Sequence, residues 1–211
     1  MLLCVITARA MSLSKPETPR KLLHTRSIRV QAYEREDGLM DLEAELVDFK
    51  GYDFHRIDGM INKAGEHVHD MTLRVTIDAD YTIVDAQASY AAAPYGASCM
   101  AITPAYRDLV GMNLLKNFRR QVKERFARTA GCTHMTELSQ VLPTAAVQAN
   151  AGARRKQTAQ DVPKRPFQLD GCHALSTDGS IALKYYPRWY TGRHDGEQNE
   201  SVAAVSPDPS P

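Results

Sequence analysis

The sequence predicts an α+β protein: an antiparallel sheet packed against about three helices, with a C-terminal hairpin. Three observations carry that expectation. Apolar and polar residues alternate at period two through the first half of the chain, and the spacing becomes helical after Cys99. Near the end, an Asp178-Gly179 pair divides an apolar-rich stretch in the manner of a hairpin turn. Strands first and helices after is the order of an α+β fold rather than of repeated βαβ units.

The first strands are read from Ile28, Val30 and Ala32, which alternate with Arg29 and Gln31, and from Leu42, Ala44 and Leu46, which alternate with Glu43 and Glu45. Alternation of this kind buries one face and leaves the other wet. The intervening "EREDGL" carries an Asp-Gly pair suited to a tight turn. In "MTLRVTI", Met71, Leu73, Val75 and Ile77 share one face, and "DAD" returns the chain into the partner strand "YTIVDAQASY". Thr103 and Pro104 suit the start of a helix as N-cap and first position. Asn113 suits the cap of a second helix, whose stripe is Leu115, Phe118, Val122 and Phe126 and whose end falls at Gly131. A third helix is expected from Cys132 or Thr133, limited by Pro143.

Residues 1–22 read as a tail, 23–192 as one α+β domain with an internal mobile linker over 149–164, and 193–211 as a disordered tail. The stretch "MLLCVITARA" is apolar but short and has no basic leader. Met11 therefore reads as the start, with Met1 heading an upstream extension. No run approaches the roughly 20 apolar residues of a membrane span. Four scattered cysteines (Cys4, Cys99, Cys132 and Cys172) do not make a disulfide scaffold, which points to a reducing, cytoplasmic setting. A net charge of +1 argues against nucleic acid and membrane as partners. The basic run from Lys116 to Arg128 reads as a solvated helix face, though it also suits a phosphate-bearing partner. Partners otherwise stay open, a homo-oligomer included.

Chemistry concentrates at three element ends. Strand parity places His67 and His69 on the side of Met71, Cys99 stands where strand gives way to helix, and Cys132 and His134 open the third helix. Thiolate and imidazole are the usual zinc ligands, and the start of a helix favours a thiolate. The same residues admit a Cys–His nucleophile and base pair, with Cys132 or Cys99 attacking and His134 or His69 as base. They also admit a plain reading of buried cysteines and capping residues. "GCHAL" repeats the adjacency at Cys172 and His173, and "YYPRWY" from Tyr185 to Tyr190 could anchor the chain end or cover a ligand.

Taken together, "LLHTRSI", "HDMTLRVTID", "GCTHMTEL", "CHAL" and "YYPRWY" resemble the bacterial domain of unknown function 2889 family, over roughly residues 22 to 190. That resemblance implies a family and no activity. A second likeness runs through "DMTLRVTIDADYTIVDA", Cys99 and "GCTH", which is similar to iron–sulfur scaffold proteins of the NifU type. It implies a NifU-like core of sheet and helices. By position, His67 matches the family's first cysteine, His69 its aspartate, Cys99 its second cysteine and Cys132 its third. The first cysteine is replaced and Gly131 stands where that family has histidine. The likeness therefore implies a mixed Cys/His site for zinc or iron rather than a thiolate-held cluster.

Three functions follow. The first is a cytoplasmic metal-binding module holding zinc or iron on His67, His69, Cys99, Cys132 and His134. The second is an enzyme with a Cys–His pair, candidates Cys132 and His134, acting on a small substrate, an anionic one included. The third is a structural or partner-binding protein without metal.

Overall fold

The computed structural model describes residues 13–151 and 165–192. The expected start at Met11, most of the 149–164 linker and the tail after 192 lie outside those residues. Contacts divide the chain into two units between residues 153 and 154, and each unit is described by itself.

The first unit is built on four long strands: β1 (His24–Glu34), β2 (Met40–Lys50), β5 (His67–Ile77) and β6 (Ile83–Ala92). They lie in the order β1-β2-β5-β6, each antiparallel to its neighbours. A small hairpin, β3 (Phe54–His55) and β4 (Ile61–Asn62), fills the connection from β2 to β5. The β1–β2 turn uses Asp37-Gly38 as expected. Gly38 adopts φ +81°, and Asp37 Oδ1 accepts the Leu39 N–H at 3.2 Å. At the β5–β6 turn, Asp78 Oδ1 accepts the N–H groups of Asp80 and Thr82, each at 2.9 Å.

Period two is realised on the inner face. Leu42, Ala44 and Leu46 of β2 and Met71, Leu73, Val75 and Ile77 of β5 are buried, and Leu46 pairs across with Met71. Full burial of each large apolar side chain contributes about 1.5–3 kcal/mol, and this double row forms the sheet's share of a core that the helical half completes. The opposite face is polar and laced with contacts such as Arg74 to Glu43 and Thr76 to Asp41. Such a face can stay in water without a covering layer.

The helical half is more broken than its stripe suggests. After α1 (Ala97–Met100), Thr103–Leu109 forms a 3-10 helix over β6, with Ile102 rather than Thr103 at its cap. Thr103 instead donates its hydroxyl to the Met100 carbonyl. Asn113 does not cap α2 (Phe118–Arg125); it ties the β5–β6 turn down by donating to the Asp80 carbonyl at 2.7 Å. The stripe is buried at Phe118, Val122 and Phe126, while Leu115 is exposed. Gly131 does not end α2 as a left-handed cap, because a 3-10 turn over Arg128–Ala130 intervenes and Gly131 is extended. Glycine is needed there for space: a Cβ would meet the Phe126 Cβ at 2.6 Å and its carbonyl oxygen at 2.8 Å.

α3 (Thr133–Ser139) starts at Cys132, and α4 (Leu142–Ala149) begins anew with Pro143 in its first turn. α3 lies over β2 and β5, and α4 over β1 and β2. No described helix is long and apolar enough to cross a membrane.

The second unit corrects the expected hairpin. Residues 165–192 form a 3-10 turn at His173–Leu175, helix α5 (Ser180–Tyr185) and a 3-10 turn at Pro187–Trp189. Gly179 is the N-cap of α5 rather than the corner of a hairpin. An apolar run of this length carries no periodicity strong enough to choose between strand and helix. Asp170 organises the loop, its Oδ1 accepting the Thr177 N–H at 2.8 Å and the Thr177 hydroxyl at 3.1 Å.

Candidate metal centre

The buried row of β2 does not stop at Leu46. Two residues on, period two points Asp48 inward as well, and it is only 2% exposed. A buried carboxylate must be neutralised or fully hydrogen-bonded. Arg26 of β1, directly across the ladder, supplies both. Its Nε donates to Oδ1 at 2.9 Å and its Nη2 to Oδ2 at 2.7 Å. His24 Nε2 lies 3.3 Å from Oδ1. On the other side, Asp48 pairs with His69 of β5, whose Nδ1 is 3.1 Å from Oδ2.

α3 adds the third group. Its first turn brings His134 over His69, with ring centroids 3.9 Å apart and planes tilted by 37°. Asp48, His69 and His134 each offer a ligand atom, and the three atoms lie within 4.8 Å of one another. Bonds of about 2.0–2.2 Å to one ion put such donors about 3–3.5 Å apart, so a pair at the 4.8 Å limit closes by about 1.3–1.8 Å on binding. Burial alone would push the Asp48 carboxyl up, but the Arg26 guanidinium, with His24 and His69, holds it below the usual carboxylate range. Burial and the neighbouring His134 push His69 below the ordinary imidazole value. An ionised carboxylate and a neutral imidazole are the protonation states that ligation requires.

Cys132 stands beside this group at the N-cap of α3. Burial raises its thiol, but His134, the Tyr90 hydroxyl and the N–H groups of Met135 and His134 outweigh that and bring it down to about 7. The Tyr90 hydroxyl is buried, makes no well-formed hydrogen bond among the described residues, and lies near this sulfur. Burial, with Cys132, Tyr106 and Cys99 nearby, raises the Tyr90 phenol far above its ordinary value, so it stays a donor. The backbone of Cys132 is pinned by buried Tyr106. The Tyr106 hydroxyl accepts the Cys132 N–H and donates to the Cys132 carbonyl, each at 2.9 Å, and meets the Thr136 hydroxyl at 2.9 Å.

Of the residues expected from sequence, His69, Cys132 and His134 come together here. His67 does not: pairing shifts between Asp48 and Phe49, so parity fails before it reaches His67, which turns to Asp70 at 2.9 Å. Cys99 sits on α1, on the Tyr90 side and outside the three-donor group. Cys172 is exposed in the second unit. Asp48 and Arg26 are the residues that sequence reading missed. Continuing the rows Leu42-Ala44-Leu46 and Ile28-Val30-Ala32 in steps of two would have found both. A cleft of about 430 Å³ also opens in the first unit, between the β3–β4 hairpin and the end of β6, with Phe54, Val68 and Tyr95 in its walls. None of the three donors lines it.

Fold and site together define an α+β protein whose antiparallel sheet and following helix carry a carboxylate–imidazole cluster with a thiol beside it. The chain belongs to the family described as Protein of unknown function (DUF2889), whose model matches residues 24–148. The match runs from His24 to within one residue of the end of α4, so every residue of the cluster falls inside it. No curated protein and no solved structure matches the chain, and the likeness to NifU-type scaffolds is not shown.

Proposed function

We propose that the protein is a cytoplasmic metal-binding module that holds a divalent transition ion, zinc or iron, on Asp48, His69 and His134. The observation that carries this reading is the convergence of those donor atoms within 4.8 Å from three separate elements. Two imidazoles and a carboxylate suit both ions, and Cys132 stands beside His134 outside the three-donor group. The three described cysteines are free, in keeping with a reducing compartment. Metal analysis of protein purified without an affinity tag tests the proposal. About one zinc or iron per chain in the wild type, and its loss in the His69→Ala, His134→Ala double variant, is expected. A wild type without stoichiometric metal refutes it.

One observation favours a second reading, a thiol nucleophile. The Cys132 sulfur has His134 as a partner, Tyr90 as a donor and a pKa of about 7. On that reading His134 takes the thiol proton, and the thiol stays reactive in protein carrying no metal.

A further inference from the structure

We infer that Arg26 is the affinity-determining residue of this site: it competes with the ion for Asp48, and Glu137 is where its guanidinium remains when the ion is held. The inference rests on the metal reading above and concerns how the chain's own charges admit a cation.

Asp48 is shared before any ion arrives. Arg26 engages both of its oxygens in a forked pair, and the two bonds are of the short, charge-assisted kind. A divalent ion bonded to Asp48 would bring two further positive charges within a carboxylate's width of that guanidinium. In a site where Asp48 is almost fully buried, little water screens the repulsion. Binding therefore favours release of at least part of the fork.

A place for the released cation is already built. The third guanidinium nitrogen, Nη1, donates to Glu137 Oε2 at 2.6 Å. Glu137 belongs to α3, the helix that carries His134. Arg26 lies on β1, an edge strand with one neighbour, and its side chain is 29% exposed, against 47% for Glu137. The guanidinium can thus keep Glu137 while it loosens its hold on Asp48, without moving either backbone or stranding a charge. One arginine serves two carboxylates, and the ion needs only one of them.

Titration with cobalt(II), followed by its visible absorption bands, tests this on the full chain stripped of metal. Arg26→Gln is expected to bind cobalt at least tenfold more tightly than the wild type. Arg26→Lys keeps the charge but loses the fork, so a smaller gain is expected, and it serves if Arg26→Gln does not fold. Glu137→Gln removes the alternative acceptor and is expected to weaken binding several-fold. Wild-type binding that is lost in His69→Ala but unchanged or weakened in both Arg26 variants would overturn the competition while leaving the metal reading intact. No binding by the wild type or by any variant would overturn both.

Discussion

Replacing Tyr106 by Phe removes one oxygen and keeps the ring. Tyr106 is fully buried, and its ring stacks on Phe126 with centroids 4.6 Å apart and planes 10° from parallel, so packing survives the change. What disappears is the acceptor for the Cys132 N–H and the donor to the Cys132 carbonyl. The carbonyl keeps a partner, because the Thr136 N–H also reaches it at 2.9 Å. The N–H does not. An orphaned buried donor costs about 1–3 kcal/mol, and the part-buried setting of Cys132 places this one at about 1–2 kcal/mol. For a domain of 150–250 residues each kcal/mol moves Tm by about 2–4 °C, so a fall of about 2–8 °C is expected. Thermal unfolding followed by circular dichroism, with urea unfolding as a check, measures it. Thr136→Val should cost less, because it spares both contacts to Cys132. If Tyr106→Phe unfolds within about 1 °C of the wild type, the hydroxyl does not hold the start of α3, and the account of how Cys132 is positioned fails.

Three further outcomes follow from the same region. Gly131→Ala drives a Cβ into the backbone and side chain of Phe126 and should cost about 1–3 kcal/mol in urea unfolding; an unchanged midpoint would show that the close approach is absent. In metal-stripped protein whose other cysteines are replaced by serine, alkylation of Cys132 should rise with pH around a midpoint of about 7. An ordinary thiol would give about 8.5. Because the folded value lies below the unfolded one, the thiolate's contribution to stability is complete above the unfolded value and is lost as pH falls through about 7. A stability difference between wild type and Cys132→Ser that does not grow with pH across that window would contradict it.

The sheet was legible because a half-buried strand writes its two faces directly into the sequence. The rows Leu42-Ala44-Leu46 and Met71-Leu73-Val75-Ile77 needed nothing from elsewhere in the chain. The site was half legible. His69, Cys132 and His134 announced themselves by residue type, whereas Asp48 and Arg26 are common residues whose meaning comes from place: Asp48 is next in a buried row and Arg26 lies opposite it on β1. Their partnership depends on strand register, which sets Asp48 opposite both Arg26 and His69 and is fixed by turns and bulges far from either. His67 shows the converse. Strand parity holds from Met71 back to His69 until a register shift interrupts it, and no local signal marks the shift. The helical half was read too smoothly because 3-10 turns and α-helices share nearly the same apolar spacing. The stretch from Ser180 to Tyr185 is shorter than two helical turns, too little for its period to decide.

The proposed site holds one ion among Asp48, His69 and His134. Anomalous diffraction from crystals of the zinc- or cobalt-loaded protein, recorded above and below the metal's absorption edge, tests it directly. One strong peak per chain is expected about 2.0–2.2 Å from a carboxylate oxygen of Asp48 and from one ring nitrogen each of His69 and His134. A peak held by other side chains, or no peak within bonding distance of these three, would contradict it.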